Sequence, residues 1–202
     1  MKYFKDEDLN DQKEELYKTS KSDNEKNQPL SEEQMYLLPK TERYEVYNFD
    51  KLTELVAEKF RKNKKTKSAD AFFVNKKDEF YLIEFKNTPK NHMPRNELFY
   101  KAYDSILPIQ LLFGDGLNIG ELCKKLTYIV VYNNNVHLSR KCTENPSASF
   151  EAFGAEMAKL AKVDKNIEIY FGLEIYKDVF FKNIYTIDKE DFIQNYEPDI
   201  FG

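Results

Sequence analysis

Three ionisable residues stand where strand residues should be apolar. Asp70 sits in Ala69-Asp70-Ala71-Phe72-Phe73-Val74, and Glu84 and Lys86 sit in Phe80-Tyr81-Leu82-Ile83-Glu84-Phe85-Lys86. An ionised group among apolar neighbours needs a partner or a use. Strand side chains alternate, so Glu84 and Lys86 emerge on one face. The polar segment Asn75-Lys76-Lys77-Asp78-Glu79 between the two runs predicts a hairpin, which lets Asp70 approach them from the neighbouring strand. Two carboxylates beside a lysine suit a hard divalent cation. Asp70, Glu84 and the backbone C=O of Phe85 would supply three oxygens, with waters and a phosphate oxygen completing the octahedron. Such a metal lowers the pKa of a bound water and neutralises charge on a scissile phosphate. Lys86 would orient that water, act as its base, or stabilise the developing oxyanion. The alternative is structural: Asp70 and Glu84 are hairpin-edge charges paired with Lys86 and nearby lysines.

Other chemistries fall away on residue counts. The chain has 202 residues, 6 of them glycine, and contains neither a GxxxxGK[ST] phosphate cradle nor a GxGxxG turn. There is no GxSxG nucleophile elbow. His92 and His137 are the only histidines and lie far apart, and Cys123 and Cys142 form no CxxC, so a His/Cys zinc site is hard to assemble. A metal here needs oxygen ligands, the hard donors suited to Mg²⁺, Mn²⁺ or Ca²⁺. His92, in Asn91-His92-Met93-Pro94, reads as a loop residue.

These residues need a scaffold, and the composition supports one. With 41% hydrophobic and 15% aromatic residues the chain can build a core, and with 33% charged residues it is no integral membrane protein. The most apolar stretch, Ile106 to Phe113, carries Pro108 and Gln110 and falls well short of the ~20 residues of a spanning helix. The first residues carry no apolar signal region, so the expected location is cytoplasmic, with two reduced thiols. Residues 1–50 hold 8 Lys+Arg against 13 Asp+Glu, whereas residues 51–101 hold 13 against 7. We therefore expect a polar, acidic and partly flexible N-terminal arm over 1–39, with a linker near 21–29 and a short helix at Asp11–Tyr17. A single α/β domain follows over 40–202. The basic excess in the middle of the chain marks Lys62, Lys64, Lys65, Lys67, Lys90 and Arg95 as candidate phosphate contacts. A solvated helix-end loop is the plainer account of any one of these lysines.

Periodicity assigns the elements. Thr41 is a plausible N-cap, and Glu45, Phe49, Leu52, Val56 and Phe60 recur at helical spacing, predicting a helix over 42–61. The hairpin follows. Pro94 opens a second helix with Leu98, Ala102, Ile106, Ile109 and Phe113 inward, ended by Gly114. Leu126–Tyr132 is a continuous apolar run, as a central strand requires. A third helix over Ser149–Val163 and strands over Ile167–Leu173 and Val179–Ile187 complete the order α-β-β-α-β-α-β-β, a mixed sheet with helices on its faces.

The order and the motif resemble the PD-(D/E)xK nuclease superfamily, the group that includes restriction endonucleases. Ser68-Ala69-Asp70 matches its Asp-bearing strand start, with Ala69 in place of the proline, and Ile83-Glu84-Phe85-Lys86-Asn87 matches its (D/E)xK strand. The resemblance covers about residues 40 to 132 and is close to uncharacterised bacterial members with an IEFKN strand and a following Lys-x-x-Asp-Ser helix, here Lys101-Ala102-Tyr103-Asp104-Ser105. It implies a restriction-endonuclease-like mixed sheet with the core order α-β-β-β-α-β. It implies Mg²⁺- or Mn²⁺-dependent phosphodiester hydrolysis in nucleic acid, DNA in the first instance. It also implies a glutamate from the first helix, for which the helical phase selects Glu45. If the helix instead starts near Asn48, Glu45 is a loop residue. A basic group on the second helix near the phosphate would be Lys101, which shares a flank with Ser105; the plainer reading is a surface lysine. A homodimer or a protein partner would serve the second strand of a duplex. The same fold without catalysis, a nucleic-acid- or protein-binding module, is the alternative, and no membrane is involved in either.

Overall fold

The computed structural model of the chain describes residue 4 and residues 6–21, 35–40, 44–60, 67–113, 118–135 and 171–201. Among them a short helix α1 (Asp6–Asn10) leads into strand β1 (Lys13–Glu15) and helix α2 (Leu16–Thr19). Strand β2 (Glu45–Asn48) runs directly into helix α3 (Phe49–Lys59). Strands β3 (Ala71–Val74) and β4 (Phe80–Lys86) form the expected hairpin. Its turn is held by Asn75, whose Oδ1 accepts from the N–H groups of Lys77 and Glu79, and Asp78 takes the left-handed conformation with φ 60°. Helices α4 (Arg95–Asp104), α5 (Ile106–Phe113) and α6 (Ile119–Cys123) cross back to β5 (Leu126–Tyr132), and β6 (Asn183–Asp188) follows.

The strands form one six-stranded mixed sheet in the order β1-β2-β3-β4-β5-β6. The first three pairings are antiparallel, while β4–β5 and β5–β6 are parallel. Every residue of β5 is buried, as its unbroken apolar run foretells for a strand covered on both faces. The alternation of side chains sorts the core into two clusters. Phe72, Leu82, Tyr128 and Ile184 face helices α3, α4 and α5. Ala71, Ile83, Ile129 and Val131 face the other way, onto Leu16, Leu37 and the C-terminal residues Phe192 and Ile200. The protein is thus α/β, with helices on both faces of a mixed sheet. Among the described residues no helix is long and apolar enough to cross a membrane.

Several expectations are corrected. The helix predicted over 42–61 begins only at Phe49, because Asn48 ends a strand and turns its side chain to accept from Lys51 N–H at 3.0 Å, an N-cap. Phe60 caps the far end and is exposed rather than inward. The predicted second helix is two, separated at Ser105, since Pro108 has no N–H to donate to Asp104 C=O and its ring crowds that carbonyl. Asp11–Tyr17 is not a helix but contains β1, and Leu9, Leu16 and Tyr17 are buried, so part of the acidic arm belongs to the sheet and core. Of the strand expected over Ile167–Leu173, positions 167–170 lie outside the described residues, and Phe171 and Gly172, with φ of 71° and 78°, form a turn rather than its end. Val179 and Phe180 lie in a turn ahead of β6. Thr41, Gly114, the helix expected over Ser149–Val163 and most of the 21–29 linker lie outside the described residues.

One side chain ties the crossing helices to the sheet. Ser105, fully buried, donates to Lys101 C=O at 2.6 Å and accepts from Ala69 N–H at 3.0 Å. Replacing it by alanine leaves a buried N–H unpaired. Ser105→Ala should therefore cost about 1–3 kcal/mol in urea unfolding, and a variant as stable as the parent would show that this link carries no strain-bearing role.

Candidate active site

The site forms where β3 and β4 part. Asp70 N–H closes the ladder by donating to Ile83 C=O at 3.0 Å, and Asp70 C=O then accepts from Phe49 N–H at the start of α3. Two residues further along β4, Phe85 N–H donates not to a strand carbonyl but to Asp70 Oδ2 at 2.6 Å. The aspartate side chain thus takes over from the strand. Phe85 turns its ring to the opposite core, edge-on to Phe192. Glu84 and Lys86 share the face of Leu82, as their spacing requires.

On that face lies a network of five ionisable side chains. Lys86 Nζ is 2.9 Å from Glu84 Oε1 and 2.8 Å from Glu97 Oε1 on α4. Lys101 Nζ, one helical turn beyond Glu97, is 2.8 Å from the same Glu84 oxygen and 3.1 Å from Asp70 Oδ1. Glu84 is 0% exposed; both ammonium groups meet its Oε1, while its Oε2 has no hydrogen-bond donor among the described residues. Moving outward, the Lys101, Asp70 and Glu97 side chains are 13%, 19% and 35% exposed. The cluster therefore runs from a sealed carboxylate to a solvent mouth.

Burial and mutual charge set its protonation. Removal from water, reinforced by the Glu84 charge, pushes the Asp70 carboxyl up to about 8, against the pull of Lys101 and the Phe85 N–H. Burial also raises Glu84, although both lysines favour its charged form. For Lys86 burial opposes the charge, but Glu84 and Glu97 outweigh it and hold the ammonium above its ordinary range. Lys101 behaves alike, held well up by Glu84 and Asp70 against burial. Glu97, with burial overcome by its bond to Lys86, is kept below the usual carboxylate range.

The structure brings together Asp70, Glu84, Lys86 and Lys101, and Lys101 is no surface lysine. Glu45 is not brought in. It is exposed at the start of β2 rather than on a helix, opposite Glu15. The register Tyr47↔Phe72 sets it level with Val74, four residues or ~13 Å along the sheet from Asp70. Lys62, Lys64 and Lys65 lie outside the described residues. Lys67 is exposed and stands 5.6 Å from the centroid of the Tyr100 ring, close enough to Glu97 to help keep it ionised. Lys90 is half-buried in a single 3-10 turn after β4, and Arg95 is exposed at the start of α4. His92 is an exposed residue of that turn, as expected.

Two residues escaped the sequence reading. Glu97 was legible: Glu97, Lys101 and Ser105 recur every fourth residue and share one flank of a helix. Tyr128 was not, because it sits in an unbroken apolar strand. Its hydroxyl is buried without a hydrogen-bond partner among the described residues, and burial together with the charges of Glu84, Asp70 and Glu97 raises its pKa.

A metal would have to be held by Asp70 and Glu84. Among the described residues no group of three or more His, Cys, Asp or Glu side chains gathers as a ligand set. The two carboxylates nonetheless converge on a single cationic point, filled by Lys101 Nζ, and Glu84 Oε2 is a buried acceptor without a donor among the described residues. This oxygen-only set fits a hard cation. In comparisons with protein-family models, with curated proteins and with solved structures, the chain has no match.

The raised Asp70 fixes the sign of a pH effect. Between the ordinary value of 3.8 and about 8 the folded protein keeps a proton that the unfolded chain releases, so stability falls as pH rises through this window. Asp70→Asn retains an acceptor for Phe85 N–H but does not titrate. In EDTA, the melting temperature of the parent should drop more steeply from about pH 4 to pH 8 than that of the variant, and parallel curves would count against a proton held at Asp70.

Proposed function

We propose that the chain is a metal-dependent phosphodiesterase acting on nucleic acid, DNA in the first instance, built on a restriction-endonuclease-like scaffold. The observation that carries this reading is the meeting of Asp70, Glu84 and Lys86 on one face, at the point where two antiparallel strands diverge. The topology around it agrees: an antiparallel β2-β3-β4 run, a helical crossover through α4 and α5, and β5 parallel to β4. One difference is that β2 precedes α3, so a strand comes before the first helix of the expected core.

Asp70 and Glu84 would hold Mg²⁺ or Mn²⁺, with Phe85 C=O as the third oxygen. When bound, the metal would supply an acidified water and charge compensation for the scissile phosphate. Of the roles open to Lys86, its environment favours two. An ammonium held by Glu84 and Glu97 above its ordinary range keeps its proton, so it orients the water and stabilises developing negative charge rather than acting as the base. Glu97 is a positioning residue that fixes Lys86. Lys67 with the exposed ring of Tyr100 offers a phosphate contact and a stacking surface beside the mouth. Cutting both strands of a duplex calls for a second copy or a protein partner.

A second reading, the same fold serving only to bind nucleic acid or protein, is favoured by one observation. The Lys101 ammonium already sits between the two carboxylates. A panel of single- and double-stranded DNA and RNA, incubated with Mg²⁺ or Mn²⁺, separates the two. Enzyme predicts cleavage abolished by EDTA and reduced ~100-fold or more in Lys86→Ala. If the purified parent cuts nothing with any metal, the binding module takes first place.

A further inference from the structure

The Lys101 side chain is placed as a metal ligand's counter-ion would be, not as a surface lysine. Its Nζ lies 3.1 Å from Asp70 Oδ1 and 2.8 Å from Glu84 Oε1, bridging oxygens from two strands. Its backbone is anchored independently, because Lys101 C=O accepts from Ser105, which in turn holds Ala69 N–H. The ammonium can therefore leave by rotation of its four-carbon stem, toward the 13% of its side chain already open to water, while α4 stays fixed to the strand carrying Asp70.

The charge count shows why a stronger cation would displace it. With all five groups ionised, Asp70, Glu84 and Glu97 face Lys86 and Lys101, three negative charges against two positive, so the fully ionised cluster is one positive charge short. Exchanging the single charge of Lys101 for a divalent ion makes the count neutral. The exchange also serves Glu84 Oε2, a buried oxygen that no donor reaches among the described residues. An ammonium brings one charge and three short N–H bonds to this place. A hard cation brings two charges and can bind several oxygens at once.

We propose that the Lys101 ammonium is a built-in occupant of the cation position between Asp70 and Glu84, so that a divalent metal binds only when Lys101 withdraws, and a neutral residue at 101 makes the metal site stronger. This rests on the reading of Asp70 and Glu84 as metal ligands. The apparent affinity of the parent for metal is lowered by the fraction of molecules in which Lys101 is out of the way. The released ammonium arrives at the mouth, beside Lys67 and Tyr100, where a phosphate of an approaching strand would hold it. Anion binding and metal binding then favour each other, because each stabilises the state with Lys101 withdrawn.

Titration of Mn²⁺ into the full chain tests this, followed by calorimetry and by loss of the free Mn²⁺ resonance signal. Lys101→Met should bind Mn²⁺ about tenfold tighter or more than the parent, and adding Glu84→Gln should abolish the gain. Lys101→Arg keeps the charge and should bind as weakly as the parent. Removing the lysine leaves buried carboxylates uncompensated and lowers stability, so melting temperatures are read alongside. Mn²⁺ should raise that of Lys101→Met more than that of the parent; Lys101→Gln is the substitute if Lys101→Met does not fold. Equal or weaker binding by the neutral variants overturns the role of Lys101 while leaving the metal reading intact. Absence of binding by the parent and all variants in about 10 mM Mn²⁺ overturns both.

Discussion

A carboxylate with no access to water, near the end of a central strand, is the constraint around which this end of the molecule is arranged. Glu84 is wholly buried. The penalty for sealing one ionised group away is several kcal/mol, and nearby opposite charges offset it. Lys86 provides one from the same strand and face, two residues on. Lys101 provides the other from a helix reached only after the chain has left the sheet. The relative placement of β4 and α4 is therefore fixed by electrostatics as much as by packing, and Ser105 makes that placement rigid by bonding to the backbone beside Asp70. The apolar neighbours Leu98 and Ala102 seat the helix on the sheet. The ionic residues set its rotation about its own axis.

Topology explains why the cluster occurs at this end. Strand β4 has an antiparallel neighbour on one side and a parallel one on the other. A parallel pairing demands a crossover that carries the chain from the end of β4 back to the start of β5. That crossover passes over the last residues of β4, which are Glu84, Phe85 and Lys86. Meanwhile β3 has only four residues and begins at Ala71, so the end of β4 runs past it. The gap left by the missing strand partner is filled on one side by the Asp70 side chain and roofed by the crossover helix. A helix with Glu97, Lys101 and Ser105 on one flank, laid across such a gap, delivers both charges and the hydroxyl to the same place.

What could be read from the residues follows from this geometry. The hairpin, the shared face of Glu84 and Lys86, the approach of Asp70 and the common flank of Lys101 and Ser105 are all set by short-range periods of two and four residues. Such periods do not depend on the rest of the fold. The error at Glu45 has the opposite origin. Phe49, Leu52 and Val56 are truly helical in phase, and extrapolating that phase backward by one turn crosses the strand-to-helix junction at Asn48. Amphipathic phase says where a helix faces, not where it begins; the beginning was written in the capping side chain of Asn48. Strand β1 was hidden for another reason. Lys13-Glu14-Glu15 is an edge strand that needs only backbone partners, and nothing in three charged side chains announces it. The division of the second helix was written in Pro108, whose missing N–H breaks the ladder just where Ser105 is needed to bond sideways.

Counted fully ionised, the network sets three acids against two lysines, and the proposed metal site builds on that imbalance. Selection for stability alone would balance the charges or replace them with apolar side chains of similar volume, which often costs nothing or stabilises. Here burial disfavours the charged forms of Asp70 and Glu84, while the half-buried Glu97 is kept ionised by its bond to Lys86. A cluster arranged to hold a strand end together would place its deficit outside, where water repairs it without cost. Placing it inside leaves two carboxylates whose charged forms are disfavoured by burial. The cluster lies where β4 runs past the start of β3, a crossover helix passes over it and the Lys101 ammonium fills the space between two acids.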